Sequence, residues 1–547
     1  MTSQRQHDQL VHYATALVPR CAVTQLAMPA MRPMRVVPIL RSPLRHALAR
    51  IALAAIAGFV SVTSNGCADG AGVGGACESH DDCRTALQCA SNVCIPLCRR
   101  ALDCGDGAAC TAGGYCLAGT SRPGDTCITE TACGPGLACV LDRTDVDHDG
   151  VMQATCSPDR QGHALGSPCD DDSECRNGTC GLGHCIDLCV NDRDCGAGQV
   201  CTSIPRVEAG GAQFFGCLVN QGTLTFELPV QGAVQKTLLA VPGNARSVSM
   251  LMTLDDQNQR VGLTKVVSPR GRLLYTLPIQ QPDYYGNLLR HIPDRGLSVA
   301  LLPSSLDSEF EHGPYSIELQ SFRLGQPGSA TPRTTVAMKM GAGALLDLHL
   351  KFADLAEHPC RDNLIARNGV LNAESARRDA EFQQYFISTL RTLLGRGSVT
   401  IGDITFEDVV GHPELDAITQ ESAAALFAQT KTADGVTLYF VRSIAPAGLA
   451  AIGANPGPVG LPGTSRSGIA LTMEAMCYRS WSQVARTAAH EIAGYLGLFP
   501  NRDIDDGLDP ISDTDDGNEN LMFYSELGGS SLSSGQGQIM QRSPALR

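Results

Sequence analysis

His490-Glu491-Ile492-Ala493-Gly494-Tyr495-Leu496-Gly497-Leu498-Phe499-Pro500 is the stretch on which the reading of the C-terminal part turns. Trp481, Val484, Ala488, Ile492, Tyr495 and Phe499 recur at three- and four-residue steps, and Ser480 with Gln483 makes a capping box. The spacing predicts an amphipathic helix, with Gly497 permitting a turn after it. A histidine and a glutamate stand side by side near the end of that helix. A second histidine four residues on would share the face, but position 494 is glycine.

Downstream come Asp509-Pro510-Ile511-Ser512-Asp513-Thr514, then Asn520-Leu521-Met522-Phe523-Tyr524, then Ser534-Gly535-Gln536 running to Met540. Upstream lie Val436–Val441, the glycine-proline loop Gly453–Gly460 and Ser467-Gly468-Ile469. In this order, over roughly residues 340 to 547, the motifs resemble the pappalysin-like branch of the metzincin zinc proteases, closest to metzincin-like domains of predicted bacterial lipoproteins. The resemblance implies an α/β metzincin-like domain with His490 as zinc ligand, Glu491 as general base, Met522 in the turn beneath the metal, and Tyr524 as a partner of the oxyanion or as packing below that turn. The sequence departs from H-E-x-x-H-x-x-G-x-x-H at the metal, because Gly494 and Pro500 stand where the second and third histidines belong. Catalytic zinc takes three protein ligands. Asp503 could replace the third, nothing replaces the second, and the domain's other histidines, His349, His358 and His412, do not lie where the family places a ligand. His490, Glu491 and Tyr524 are therefore expected to be vestigial.

The 547 residues are too many for one core, and a formal charge of −14 with a pI near 5.4 argues against nucleic acid as a partner. One Trp and 5% aromatic residues leave little for stacking platforms or aromatic sugar clefts. Of 24 cysteines, 20 fall between Cys77 and Cys217, a density that implies an oxidising compartment. They form an eight-cysteine unit from Cys77 to Cys116, a four-cysteine unit from Cys127 to Cys156 and a second eight-cysteine unit from Cys169 to Cys217. These units resemble Dickkopf-type cysteine-rich repeats, in which disulfides replace an apolar core. A rigid stalk and a protein-binding module are the two readings of them.

Arg32 to Arg50 is basic and Ile51 to Val62 is an apolar run too short to span a bilayer, which together read as a signal peptide, with Met31 or Met34 as alternative starts. The run ends in Gly66-Cys67, a partial lipobox. Lipidation of Cys67 with loss of Cys21 would leave 22 cysteines, an even number, and Ala68 suits transfer to the outer membrane. Cleavage after Ser64 is the alternative.

Five regions are expected: a targeting segment (1–66), a cysteine-rich region (67–220), a jelly-roll-like β-sandwich (221–325), a Gly/Pro/Ser/Thr-rich linker (326–333) and the metzincin-like domain (334–547). The sandwich rests on alternation at Leu224, Phe226 and Leu228, at Val248, Met250, Met252 and Leu254, and at Tyr315, Ile317 and Leu319. In the last region Leu346 to Phe352 alternates as a strand, and Glu374 to Leu394 reads as a helix stopping at Gly395. Asp145, Asp147 and Asp149 with Gly150 have the spacing of a calcium loop, though Cys156 holds its twelfth position; a solvated acidic turn is the alternative. Cys360 and Cys477 are left to pair with each other.

The function expected is that of an exported, lipid-anchored surface protein that binds protein or peptide without cutting it. The rivals are a zinc endopeptidase with non-standard ligands and a structural envelope protein.

Overall fold

The computed structural model describes residues 75–547 except 80–81, 85–86, 91–92, 98–107, 111–115, 119–121, 128–132, 134–135, 143–144, 146–149, 159–161, 177, 190, 207–211, 278–286, 308, 354–359, 361–370, 413–414, 416, 429–434, 454–463, 503–506 and 525–528. The targeting segment and Cys67 lie outside the described residues. None of the described helices is long and apolar enough to cross a membrane.

Disulfides hold the cysteine-rich region in sets of four, first to third and second to fourth: Cys77–Cys89 with Cys83–Cys94, Cys127–Cys139 with Cys133–Cys156, Cys169–Cys180 with Cys175–Cys185, and Cys189–Cys201 with Cys195–Cys217. The second eight-cysteine unit is thus two crossed four-cysteine frames. From Cys127 onward the region is fused to the β-sandwich, since Cys139, Cys156, Ile186, Leu188, Ile204 and Phe214 share one buried apolar cluster with the sandwich strands. Such short segments lack a core of their own and borrow their neighbour's.

The sandwich has two antiparallel sheets. One orders β1 (Gly222–Glu227), β8 (Arg333–Met340), β3 (Ala245–Thr253) and β6 (Leu297–Leu302). The other orders β2 (Val234–Val241), β7 (Gly313–Arg323), β4 (Arg260–Val267) and β5 (Leu273–Thr276). Alternation places Val248, Met250 and Met252 opposite Tyr315, Ile317 and Leu319 in the shared core. The segment 326–333, expected as a linker, lies within this sandwich. Gln326–Pro327 folds back on β7, and Arg333 begins β8, which pairs with both β1 and β3. Its polar composition marks a hairpin and crossover rather than a domain boundary.

The C-terminal region is a five-stranded sheet ordered β10 (Thr400–Val409), β9 (Leu345–Ala353), β11 (Val436–Val441), β13 (Gly468–Thr472) and β12 (Ala451–Ile452). All neighbours are parallel except β12, an antiparallel edge strand. β11 and β13 are buried throughout, as central parallel strands covered on both faces must be. One face carries α1 (Ala373–Arg378), α2 (Ser388–Arg396) and α4 (Trp481–Tyr495); the other carries α3 (Gln420–Ala428). The helix expected over Glu374 to Leu394 is interrupted. Asp379 ends α1 in an extended conformation and its carboxylate accepts from the Phe382 amide, starting a π-helical turn, Phe382–Ile387, that leads into α2. Phe382 and Phe386 meet Trp481 edge-on at 4.9 and 5.9 Å, tying this turn to the start of α4.

The sandwich and the C-terminal region dock through the outer face of the four-stranded sheet. Leu301 enters the C-terminal core, Ser247 Oγ donates to the Arg542 carbonyl, and Lys339 Nζ donates to the Gln541 carbonyl at 2.6 Å. The Arg466–Asp294 ion pair joins the two at a second point.

Candidate functional site

Ser480 and Gln483 form the capping box that starts α4, and Trp481, Val484, Ala485, Ala488, Ala489, Ile492 and Ala493 drive the helix into the core. Thr487, His490, Glu491 and Gly494 remain half-buried along the opposite face, at i, i+3, i+4 and i+7. Gly497 follows with φ +117°, a left-handed conformation suited to glycine, and a side chain there would strike Leu301. The helix therefore ends where the sandwich begins.

His490 Nδ1 lies 2.8 Å from the Leu521 carbonyl oxygen. A carbonyl only accepts, so Nδ1 carries a proton, and in the neutral ring Nε2 then holds the lone pair, the tautomer that metal-bound histidines adopt when a backbone carbonyl orients them. Glu491 packs against the backbone of Gly453, just beyond β12, where any side chain on residue 453 would collide with the carboxylate. Among the described residues the Glu491 carboxylate has no hydrogen bond and no ion pair. Burial raises its pKa, and the adjacent His490 opposes that rise.

The turn beneath His490 is built on Asn520, whose side-chain oxygen accepts from the Met522 amide at 2.8 Å. Asn520 and Gln536 exchange side-chain amide hydrogen bonds at 3.0 and 3.2 Å, both residues being buried. Gln536 lies in α5 (Ser534–Met540), whose first turn is held by Asp513 through Ser533 Oγ and the Gly535 amide, each at 2.9 Å. Met522 is buried in the core below the helix, whereas Tyr524 is 49% exposed and tilted against Phe523 at 4.6 Å. Tyr524 is not packed beneath the turn.

Among the described residues no set of three ligand-bearing side chains includes His490; the sets that do converge are half-cystines already joined in disulfides. His349 Nδ1 lies 2.8 Å from Thr405 Oγ1, on strands β9 and β10. Asp503 and His358 lie outside the described residues. So do Asp147 and Asp149; Asp145 accepts from the Gly150 amide through Oδ2 at 2.9 Å, while its buried Oδ1 has no partner among the described residues. Cys360 and Cys477 are joined, with Cα atoms 5.3 Å apart, bracing the entry to α4.

Two residues not singled out by motif border the site. Arg290, fully buried, reaches from the sandwich to lie 4.5 Å over the Phe499 ring and to donate to the Pro500 carbonyl at 3.3 Å. Burial pushes the Asp509 carboxyl up to about 7, against the opposing pull of the Ile511 amide and the Arg290 charge. Two adjacent basic residues, Arg290 and His291, inside the apolar run Leu288 to Ile292 were the available signal. No protein-family model and no curated protein matches the chain.

Proposed function

We propose that this is an exported, lipid-anchored surface protein whose metzincin-like C-terminal domain holds an extended peptide and does not cut it. The observation that carries the reading is the open strand edge beside a depleted ligand set. β12 ends the sheet among the described residues, and the half-buried Thr487, His490, Glu491 and Gly494 face lies alongside it. The Thr472 amide donates to the Ala450 carbonyl, and Ile452 pairs with Ala470, so in this antiparallel ladder the amide and carbonyl of Ala451 point away from β13. A peptide laid along β12 would take up those groups as an added strand, leaving its side chains to read the cleft. The half-buried Glu491 carboxyl would then accept from a peptide amide or donate to its carbonyl, according to its protonation. One imidazole is too few ligands to hold a catalytic zinc.

The second reading, a zinc endopeptidase with non-standard ligands, draws on His490 Nε2 and the Glu491 carboxylate, neither of which has a partner among the described residues. Labelled casein, an unstructured chain, separates the two when added to the full protein with and without zinc. Binding without shortening of the casein, weakened by Ala451→Pro, supports the peptide-holding reading. Zinc-dependent cleavage lost in His490→Ala would establish the protease, and binding indifferent to Ala451→Pro would remove β12 as the docking edge.

A further inference from the structure

A cleft of about 750 Å³ opens where the second cysteine-rich unit, the sandwich and the end of α5 meet, remote in sequence from the His490 helix. Its size is that of a small-molecule pocket. Arg246, His312 and Arg542 line it, together with the amide side chains of Asn244 and Gln541 and the ring of Phe310, and no Asp or Glu is among its lining residues. This is unusual ground in a chain with 56 acidic against 42 basic residues.

The cations here are not consumed by internal ion pairs. Arg246 is exposed, and it has no hydrogen bond or carboxylate partner among the described residues. Arg542 spends one nitrogen, Nη1, on the Pro303 and Ser305 carbonyls at 3.4 and 3.2 Å. Its guanidinium meets no carboxylate among the described residues. Behind the wall, Lys339 is 2% exposed and donates to the carbonyls of Gly343 and Gln541, two lining residues, each at 2.6 Å. Burial lowers the Lys339 pKa to about 8, and no anion among the described residues offsets it. His312 Nε2 donates to the Ala245 carbonyl at 3.1 Å, which orients the ring in the wall. The main chain of Arg547 packs against Gly343, and its carbonyl accepts from the Leu345 amide.

Asn244 donates through Nδ2 to the Val219 carbonyl at 2.9 Å, and its buried Oδ1 has no partner among the described residues. A group suited to this part of the cleft brings negative charge to Arg246 and Arg542 and a hydroxyl donor to Asn244, while a C–H face rests on Phe310. We infer that the cleft binds a small polyhydroxylated organic anion, of the size and chemistry of a uronic acid. The site is independent of the peptide-holding reading and does not require it.

Titration calorimetry of the full protein with glucuronate, glucose and inorganic phosphate tests this. Glucuronate is expected to bind, glucose to bind at least about tenfold more weakly for want of the charge, and phosphate more weakly than glucuronate for want of the hydroxyl and apolar contacts. Arg246→Glu, at an exposed position that leaves the fold intact, is expected to abolish glucuronate binding, and Asn244→Ala to weaken it several-fold. Absence of glucuronate binding, glucose binding as tight as glucuronate, phosphate binding as tight as glucuronate, or affinity unchanged in Arg246→Glu would each overturn the assignment.

Discussion

Gly494 is where the His490 helix can be interrogated most directly. It lies one turn after His490 on the same half-buried face, its amide geometry is helical, and a Cβ built on it meets nothing within 4 Å. Glycine in a helix costs roughly 0.5–1 kcal/mol relative to alanine, so Gly494→Ala is expected to stabilise the protein by about that amount. This corresponds to roughly 1–4 °C in the midpoint of the transition that reports the C-terminal region. Gly494→His loses part of the propensity gain and adds an imidazole one turn from the Nε2 of His490. If the pair binds zinc, metal at about a hundred times its dissociation constant would add about 2.7 kcal/mol. Differential scanning calorimetry of parent, Gly494→Ala and Gly494→His, each with and without zinc, reads both effects. The expected pattern is a zinc-independent rise for alanine and a zinc-dependent rise confined to histidine. A destabilised alanine variant would mean that position 494 faces packed atoms. A folded histidine variant with no more zinc response than the parent would show that the helix does not present 490 and 494 together, and the metzincin-like reading of the site would fall with it.

Glu491→Gln should raise the thermal midpoint at about pH 7.5 and do so less at about pH 4. Its folded pKa is raised, so the folded state prefers the protonated carboxyl and loses stability as pH climbs past the unfolded value; a gap that does not widen with pH would refute this. Asp509→Asn follows the same sign over a defined window. The parent should lose stability between about pH 4 and 7, where the unfolded carboxyl has released its proton and the folded one is still titrating, and the variant should not; parallel pH profiles would contradict it. Replacing both Cys360 and Cys477 by alanine should cost about 2–4 kcal/mol, because the bridge closes a loop with a sequence separation of 117, with an unchanged midpoint counting against the bond as a brace.

Much of this fold was legible because its signals are local. Alternation at Val248–Leu254 and Tyr315–Leu319 marks strands with one buried face, and the three- and four-residue spacing from Trp481 to Tyr495 marks the helix, since both patterns follow from backbone geometry alone. The capping box at Ser480, the turn at Gly497 and the pairing left to Cys360 and Cys477 are similarly readable from a few neighbouring residues or from a count. Asp379 breaking the helix after Arg378 was not, because a carboxylate on a helical surface and one that caps the next segment have the same sequence.

What the tertiary structure alone decided depends on long-range placement. Arg333–Met340 became a central sandwich strand because its partners, β1 and β3, lie roughly a hundred residues earlier, beyond any local pattern. The crossed pairing of four-cysteine sets was one of many connectivities that the count allowed. The sequence by itself determined which residues turn inward and where helices and turns begin. Only the packed chain could determine that His490 directs its Nδ1 proton to Leu521, that Glu491 packs beside Gly453, and that Arg290 bridges the two regions over Phe499. Hydrogen bonds and charge contacts of this kind depend on where distant backbone lies to within an ångström, and nothing in the period of a sequence carries that information.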